Sequence, residues 1–218
     1  SRMLALNRDA ARYYYSVLQS PEGAAVQAYL DKRRIRRGIA VRFGMGAAPD
    51  SWDALLTAMT HKGYTKQELI SAGLAVNGKN GRLYDKFRNR LMLPVIDVRG
   101  DVVGFGSRVL DKSEPKYMNT PETLTYSKRR ILYGMNLAKK SKRSNIILCE
   151  GNLDVVTLHQ AGFDNAVASM GTALTQEQLR LLSRYTKELV LCYDNDNAGQ
   201  QATRRALELL NNSEFSVK

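Results

Sequence analysis

Two acidic stretches in the second half of the chain hold the residue types that could do chemistry. Leu148-Cys149-Glu150-Gly151-Asn152-Leu153-Asp154 and Leu189-Val190-Leu191-Cys192-Tyr193-Asp194-Asn195-Asp196 each run from apolar into acidic residues. That is the pattern of a buried parallel strand delivering carboxylates at its C-terminal end. Alternate residues of a strand point the same way, so Asp194 and Asp196 are expected to converge. Glu150 is expected from a neighbouring strand end, where open α/β sheets place their ligands. Three carboxylates in one crevice repel unless a cation holds them, and oxygen-only ligation suits Mg²⁺ or Mn²⁺. Acids after strands also cap helices and shape turns, and Asp154 could simply serve the first turn of the helix that follows.

Such acids need a sheet behind them. Residues 146–149, 165–168 and 188–193 read as strands, and 152–161, 175–185 and 198–210 as helices. That alternation predicts parallel strands with right-handed crossovers. The end of the chain, from Asn211, reads as a helix end and the start of another strand.

The first half reads differently. Asn7 or Asp9 could cap a helix through Leu18, and Ser20-Pro21 opens a second one through Lys32. Of Tyr13, Tyr14 and Tyr15, one or two are expected in the core. Trp52, Leu55, Leu56 and Met59 share one face of a helix over 52–62, and Thr65 with Glu68 forms a capping box before the next. Leu74–Val76 and Tyr84–Phe87 flank a glycine-rich turn, a hairpin signal. Two longer strands follow, around Leu91–Asp97 and Val102–Leu110; the alternating Gly104 and Gly106 open one strand face to close approach. Residues 111–130 form a polar loop rich in the Lys, Tyr, Asn and Thr groups that hold phosphate and sugar.

Charge is divided the same way. Residues 1–143 hold 27 Lys and Arg against 12 Asp and Glu, net +15, while residues 144–218 hold 6 against 9, net −3. A basic module joined to an acidic one divides the labour between gripping a polyanion and holding cations. No apolar run approaches the ~20 residues of a membrane span. Cys149 and Cys192, both in expected strands, read as small core residues in a reducing cytoplasm, and with only His61 and His159 they offer no zinc site.

The joint pattern Glu150-Gly151-x-x-Asp154 with Asp194-x-Asp196-x-Ala198-Gly199 resembles the Toprim fold of primases, topoisomerases and some nucleases. With Arg88-Asn89-Arg90-Leu91-Met92-Leu93-Pro94-Val95, Gly104-Phe105-Gly106-Ser107-Arg108-Val109-Leu110, Pro115-Lys116-Tyr117-Met118-Asn119-Thr120-Pro121-Glu122-Thr123, Leu132-Tyr133-Gly134 and Ala166-Val167-Ala168-Ser169-x-Gly171-Thr172, the chain resembles the catalytic core of bacterial DnaG-type primases over nearly its whole length.

The resemblance implies an α/β protein. A mixed α+β basic N-terminal subdomain, residues 1–137, precedes a Toprim-type parallel α/β subdomain, residues 138–218, that stops short of a further acidic loop. It implies RNA primer synthesis on single-stranded DNA from ribonucleoside triphosphates, with two divalent ions in turnover. Glu150, Asp194 and Asp196 would be catalytic and bind metal with Asp154 nearby. Arg88, Arg108, Lys116, Tyr117, Asn119 and Lys128 would hold template and nucleotide. The cytoplasmic replication fork would be its place, and a replicative helicase its partner through a domain not contained here. Two departures stand out: Asn152 follows Glu-Gly where the family has an aromatic residue, and Asn195 replaces the glycine of Asp-Gly-Asp. A left-handed backbone at 195 remains open to asparagine. The alternative is a Toprim nuclease or a non-catalytic single-strand-binding module.

Overall fold

Helix α1 (Arg2–Leu18) begins at Ser1, whose side chain accepts from the Leu4 amide at 3.3 Å. The computed structural model describes all residues from Ser1 to Lys218. Neither expected cap serves α1. Asn7 is buried, its amide donating to the Val103 carbonyl and the Thr125 hydroxyl, while Asp9 accepts from the Tyr64 hydroxyl at 2.7 Å. The buried stripe Leu6, Ala10, Tyr14 and Val17 follows helical spacing. Of the three tyrosines only Tyr14 is fully buried, edge-on to Phe105.

The chain forms two compact units: residues 1–95 with 101–126, and residues 96–100 with 127–218. In the first, a 3₁₀ turn, Pro21–Gly23, and then α2 (Ala24–Lys32) and α3 (Arg37–Arg42) lead to strand β1 (Gly46–Ala48). Ser20 gives no side-chain cap there. Helices α4 (Ala54–His61) and α5 (Lys66–Ser71) follow, α5 carrying the expected Thr65–Glu68 capping box. Strands β2 (Ala75–Asn77) and β3 (Leu83–Asp85) form the expected antiparallel hairpin. Then β4 (Arg90–Ile96), β5 (Val102–Val109) and β6 (Tyr117–Asn119) complete a sheet ordered β1-β4-β5-β6. Glycine allows close approach at the sheet: a Cβ on Gly46 would lie 2.6 Å from the Tyr14 backbone, and one on Gly104 2.8 Å from the Tyr126 ring.

The second unit contains α6 (Met135–Ala138), β7 (Asn145–Cys149), α7 (Asn152–Gln160), β8 (Ala166–Ala168), α8 (Gln176–Leu182), β9 (Glu188–Cys192), α9 (Asn197–Leu210) and β10 (Ser216–Val217). Its sheet runs β10-β9-β7-β8, with every pairing parallel. The α/β class and the alternation over 145–210 therefore follow the sequence expectation. Leu132, Ile146, Leu148, Val167, Leu179, Leu189 and Leu210 share its core. Leu132, Met135 and Ala138 pack in that core, so the units part between Tyr126 and Ser127 rather than at 137/138. Val98, in the 96–100 segment, packs on the same core, and its carbonyl accepts from the Lys139 ammonium.

A carboxylate edge and a cation–aromatic surface

The second unit presents its acids at the C-terminal edge of the parallel sheet. Glu150 directly follows β7. Its Oε1 accepts from the backbone N–H of Asp194 at 2.8 Å, which ties the two loops together. Asp154 lies in the first turn of α7 and accepts from the Gly151 N–H at 3.1 Å. Asp196 is the N-cap of α9, its Oδ1 accepting from Gly199 N–H at 2.7 Å. The capping alternative thus holds for Asp154 and Asp196.

The expected convergence of Asp194 and Asp196 from one strand does not occur. Strand β9 ends at Cys192, whose register partner is Cys149, the last residue of β7. Beyond that pair β7 gives way to the turn into α7, β9 has no ladder to extend, and the two-residue alternation lapses. Asp194 falls in a loop and Asp196 enters the helix. Cys192 is consequently exposed, against the expectation of a core position, while Cys149 is buried and its thiol pushed up to about 12 by desolvation. Asn195 does not take a left-handed backbone; only Arg34 and Asn89 do so among non-glycine residues.

No group of three acidic, histidine or cysteine side chains comes together closely enough to hold an ion. The donor chemistry nevertheless fits a hard divalent cation. Glu150 and Asp194 are neighbours, one oxygen of Glu150 takes no protein donor, and Mg²⁺ needs only one or two carboxylates when water and phosphate complete its shell. Gly199 is what permits the arrangement: a Cβ there would fall 1.9 Å from the Asp194 carbonyl oxygen and 2.6 Å from Glu150 Oε1. Beside the acids opens a cleft of about 340 Å³ lined by Glu150, Ser169, Thr172, Tyr193 and Arg205 among others. Burial pushes the Tyr193 hydroxyl up to about 12, so it remains a neutral donor. Arg205 escaped the sequence reading; its only signal there is the spacing Gln201–Arg205, which puts both on one helix face.

The first unit carries the cations. Arg108 on β5 is the register partner of Tyr117 on β6. Its guanidinium lies 5.7 Å from that ring and 5.3 Å from the ring of Tyr29, and it donates to the Val109 carbonyl. Lys116 reaches the Tyr117 ring at 5.7 Å. Arg33 donates to the Tyr29 hydroxyl at 2.9 Å, a bond that raises its pKa further. Arg90, buried, donates to the carbonyls of Pro115 and Lys116 and holds the approach to β6. Its own pKa is lowered by burial and by Arg88, and Arg108 adds to this. Like charges crowded in this way, with few carboxylates among them, favour a polyanion. Asn119 lies on the same strand, paired with Gly106.

A second cluster stands on the β3 side. The Arg88 guanidinium lies 4.2 Å over the Trp52 ring and 5.1 Å over Tyr84, and the two rings meet edge to face at 5.3 Å. Trp52 is 58% exposed and precedes α4 instead of lying on its buried face. Lys128 belongs to the second unit, where its carbonyl accepts from Gln178. The structure thus gathers Arg108, Lys116 and Tyr117 and separates Arg88 into a stack of its own.

Residues 13–139 match the model of the DNA primase catalytic core, N-terminal domain, and residues 147–218 match the Toprim-like model. The chain belongs to the DnaG-type primase family. The DNA primase of Clostridium acetobutylicum is 48% identical over all 218 residues, and that of Escherichia coli 42% identical over 198 residues, 90% of the chain. The chain spans only 36% and 34% of those relatives' lengths. A DnaG primase catalytic domain solved bound to ssDNA superposes with a TM-score of 0.92 at 38% identity, covering 99% of this chain and 71% of that one. The RNA polymerase domain of Mycobacterium tuberculosis primase gives 0.87 at 41% identity, covering 95% and 71%. The first match ends at 139 and the second begins at 147. No helix is long and apolar enough to cross a membrane.

Proposed function

We propose that this chain is the nucleotidyl-transfer core of a primase, making RNA primers on single-stranded DNA from ribonucleoside triphosphates at the cytoplasmic replication fork. The carrying observation is 48% identity to a DNA primase over every residue. A DnaG relative solved with ssDNA supports single-stranded DNA as the ligand of the basic unit. A replicative helicase as partner rests on the family resemblance alone.

In this reading the first unit binds template and incoming nucleotide. Arg108, Lys116 and Arg88 meet phosphate, and Tyr117, Tyr84 and Trp52 offer ring faces to unpaired bases. Asn119 donates to sugar or phosphate, and Lys128, within the second unit, offers phosphate a cation of its own. Glu150, Asp194 and Asp196, with Asp154, would hold Mg²⁺ or Mn²⁺. Bound there, such ions would supply charge neutralisation at the triphosphate and activation of the primer 3′-hydroxyl. The chain's own part is to aim these carboxylates: the Asp194 N–H steadies Glu150, and the Gly199 N–H steadies Asp196. No side-chain nucleophile is needed.

The test is primer synthesis on single-stranded template with labelled ribonucleotides and Mg²⁺ or Mn²⁺, with strand cleavage scored in parallel. Template-dependent RNA supports the proposal. Cleavage without synthesis would make the chain a nuclease, and binding alone would reduce it to a single-strand-binding module.

A further inference from the structure

Asp85 is a charged side chain that none of the chemistry above uses, and it is almost wholly buried, at 1% exposure. It sits where three parts of the first unit meet. Its carboxylate accepts from the N–H groups of Leu55 and Leu56, each at 2.9 Å, and so caps α4 from thirty residues away. Its own N–H donates to the Trp52 carbonyl at 2.7 Å, and its carbonyl accepts from Arg88 Nη1 at 2.6 Å. Trp52 and Arg88 are the two faces of the stack, and Tyr84, its third member, is the residue before Asp85. Its backbone thus holds Trp52 and Arg88, while its carboxylate holds the start of α4 just after Trp52.

We propose that Asp85 is a positioning residue: its carboxylate, locked onto the first turn of α4, sets Trp52 and Arg88 in the geometry that receives the single strand. This rests on the single-strand-binding reading given above. Burial makes the charge on this group costly. Desolvation, reinforced by Asp53 and opposed by the two amide bonds and Arg88, raises its pKa to about 6. Between the ordinary carboxylate range and pH 6 the folded chain holds a proton that the unfolded chain releases. The contribution of Asp85 to stability therefore falls as pH rises through about 6. Above that pH the ionised form is kept at a cost. Tyr13 and Tyr14 of α1 also face it, and its charge helps raise both of their pKa values. Its β2 partner, Ala75, has no charge.

Trp52 is the only tryptophan, so its emission reports the stack directly. The experiment takes wild type, Asp85→Asn, Arg88→Ala and the double variant. It measures Trp52 emission from pH 4.5 to 8, labelled oligo-dT affinity by anisotropy at fixed salt, folding by circular dichroism, and primer synthesis against template concentration. Asparagine keeps the shape but opposes one amide with another, so one cap bond is lost. In wild type, emission should titrate with a midpoint near 6, and in Asp85→Asn and Arg88→Ala it should be flat. His61 closes α4 at its far end, and the Asp85→Asn titration controls for it. Oligo-dT affinity should fall roughly threefold to tenfold in Asp85→Asn and about tenfold in Arg88→Ala, the scale of one lost hydrogen bond or base stack. The double variant should be no weaker than Arg88→Ala. The template KM should rise in Asp85→Asn with kcat unchanged.

Two results would overturn the proposal: a folded Asp85→Asn with wild-type emission and affinity, or a loss that adds in full to that of Arg88→Ala, as a plain helix cap would give. If Asp85→Asn does not fold, Asp85→Glu, which keeps the charge but moves the carboxylate off the Leu55 and Leu56 amides, takes its place, and a folded variant with wild-type emission and affinity refutes positioning. If wild type binds no oligo-dT, the proposed function fails while the emission titration still judges Asp85.

Discussion

The two units hold their charged groups by opposite means. In the second, three of the four site acids are fixed by a backbone amide: Glu150 by Asp194, Asp154 by Gly151 and Asp196 by Gly199. In the first, cations rest on ring faces brought from distant segments, Arg88 on Trp52 and Tyr84, Arg108 on Tyr29 and Tyr117. Amide-held carboxylates are aimed at a point, as a small cation requires. Ring-supported guanidinium groups keep donors turned outward along a surface, as a polymer requires. The difference teaches that point charge and extended charge need different scaffolds, and that damage to one should leave the other working.

The strongest test of that separation is Glu150→Gln. Primer synthesis should be abolished while oligo-dT affinity stays within a few-fold of wild type, by radiolabelled extension and anisotropy. Near-normal synthesis would remove Glu150 from the acidic site. Next comes Gly199→Ala. Its methyl must displace the Asp194 carbonyl and Glu150, so synthesis should drop more than about tenfold and stability by about 1–3 kcal/mol, the scale of an overpacked site. The helical Gly38→Ala, where a Cβ meets nothing within 4 Å, should be neutral or slightly stabilising in the same thermal melts. The smallest effect belongs to the basic surface. Arg108→Ala or Lys116→Ala should each flatten the log–log salt dependence of oligo-dT binding by about 0.7, one phosphate contact. Unchanged slopes in both would place the strand elsewhere.

The contrast also decides what could be read from the sequence. The acids lie in two short stretches of sequence, so Glu150, Asp154, Asp194 and Asp196 stood out as motifs, and the strands and helices around them had clear periods. Their final geometry was not legible because β9 stops where β7 stops, at the Cys149–Cys192 pair, and no residue near Asp194 announces that. Trp52 was misplaced for the same kind of reason. Helical spacing extends α4 back to it, but the actual start is set by Asp85, far along the chain. The Arg88 stack, assembled from residues 52, 84 and 88, had no local signature. Thr65–Glu68, a capping box within four residues, was read correctly.

The turn between β4 and β5 carries a different consequence. Ile96–Gly100 belongs with the second unit although both flanking strands belong with the first. The polypeptide therefore passes from one unit to the other three times, at 95/96, 100/101 and 126/127. No single cut delivers both units whole: severing after Tyr126 strands Val98 on the wrong fragment and takes a side chain from the core it helps fill. A contiguous fragment starting at Ser127 therefore carries the second unit's core without the Val98 side chain that packs against it.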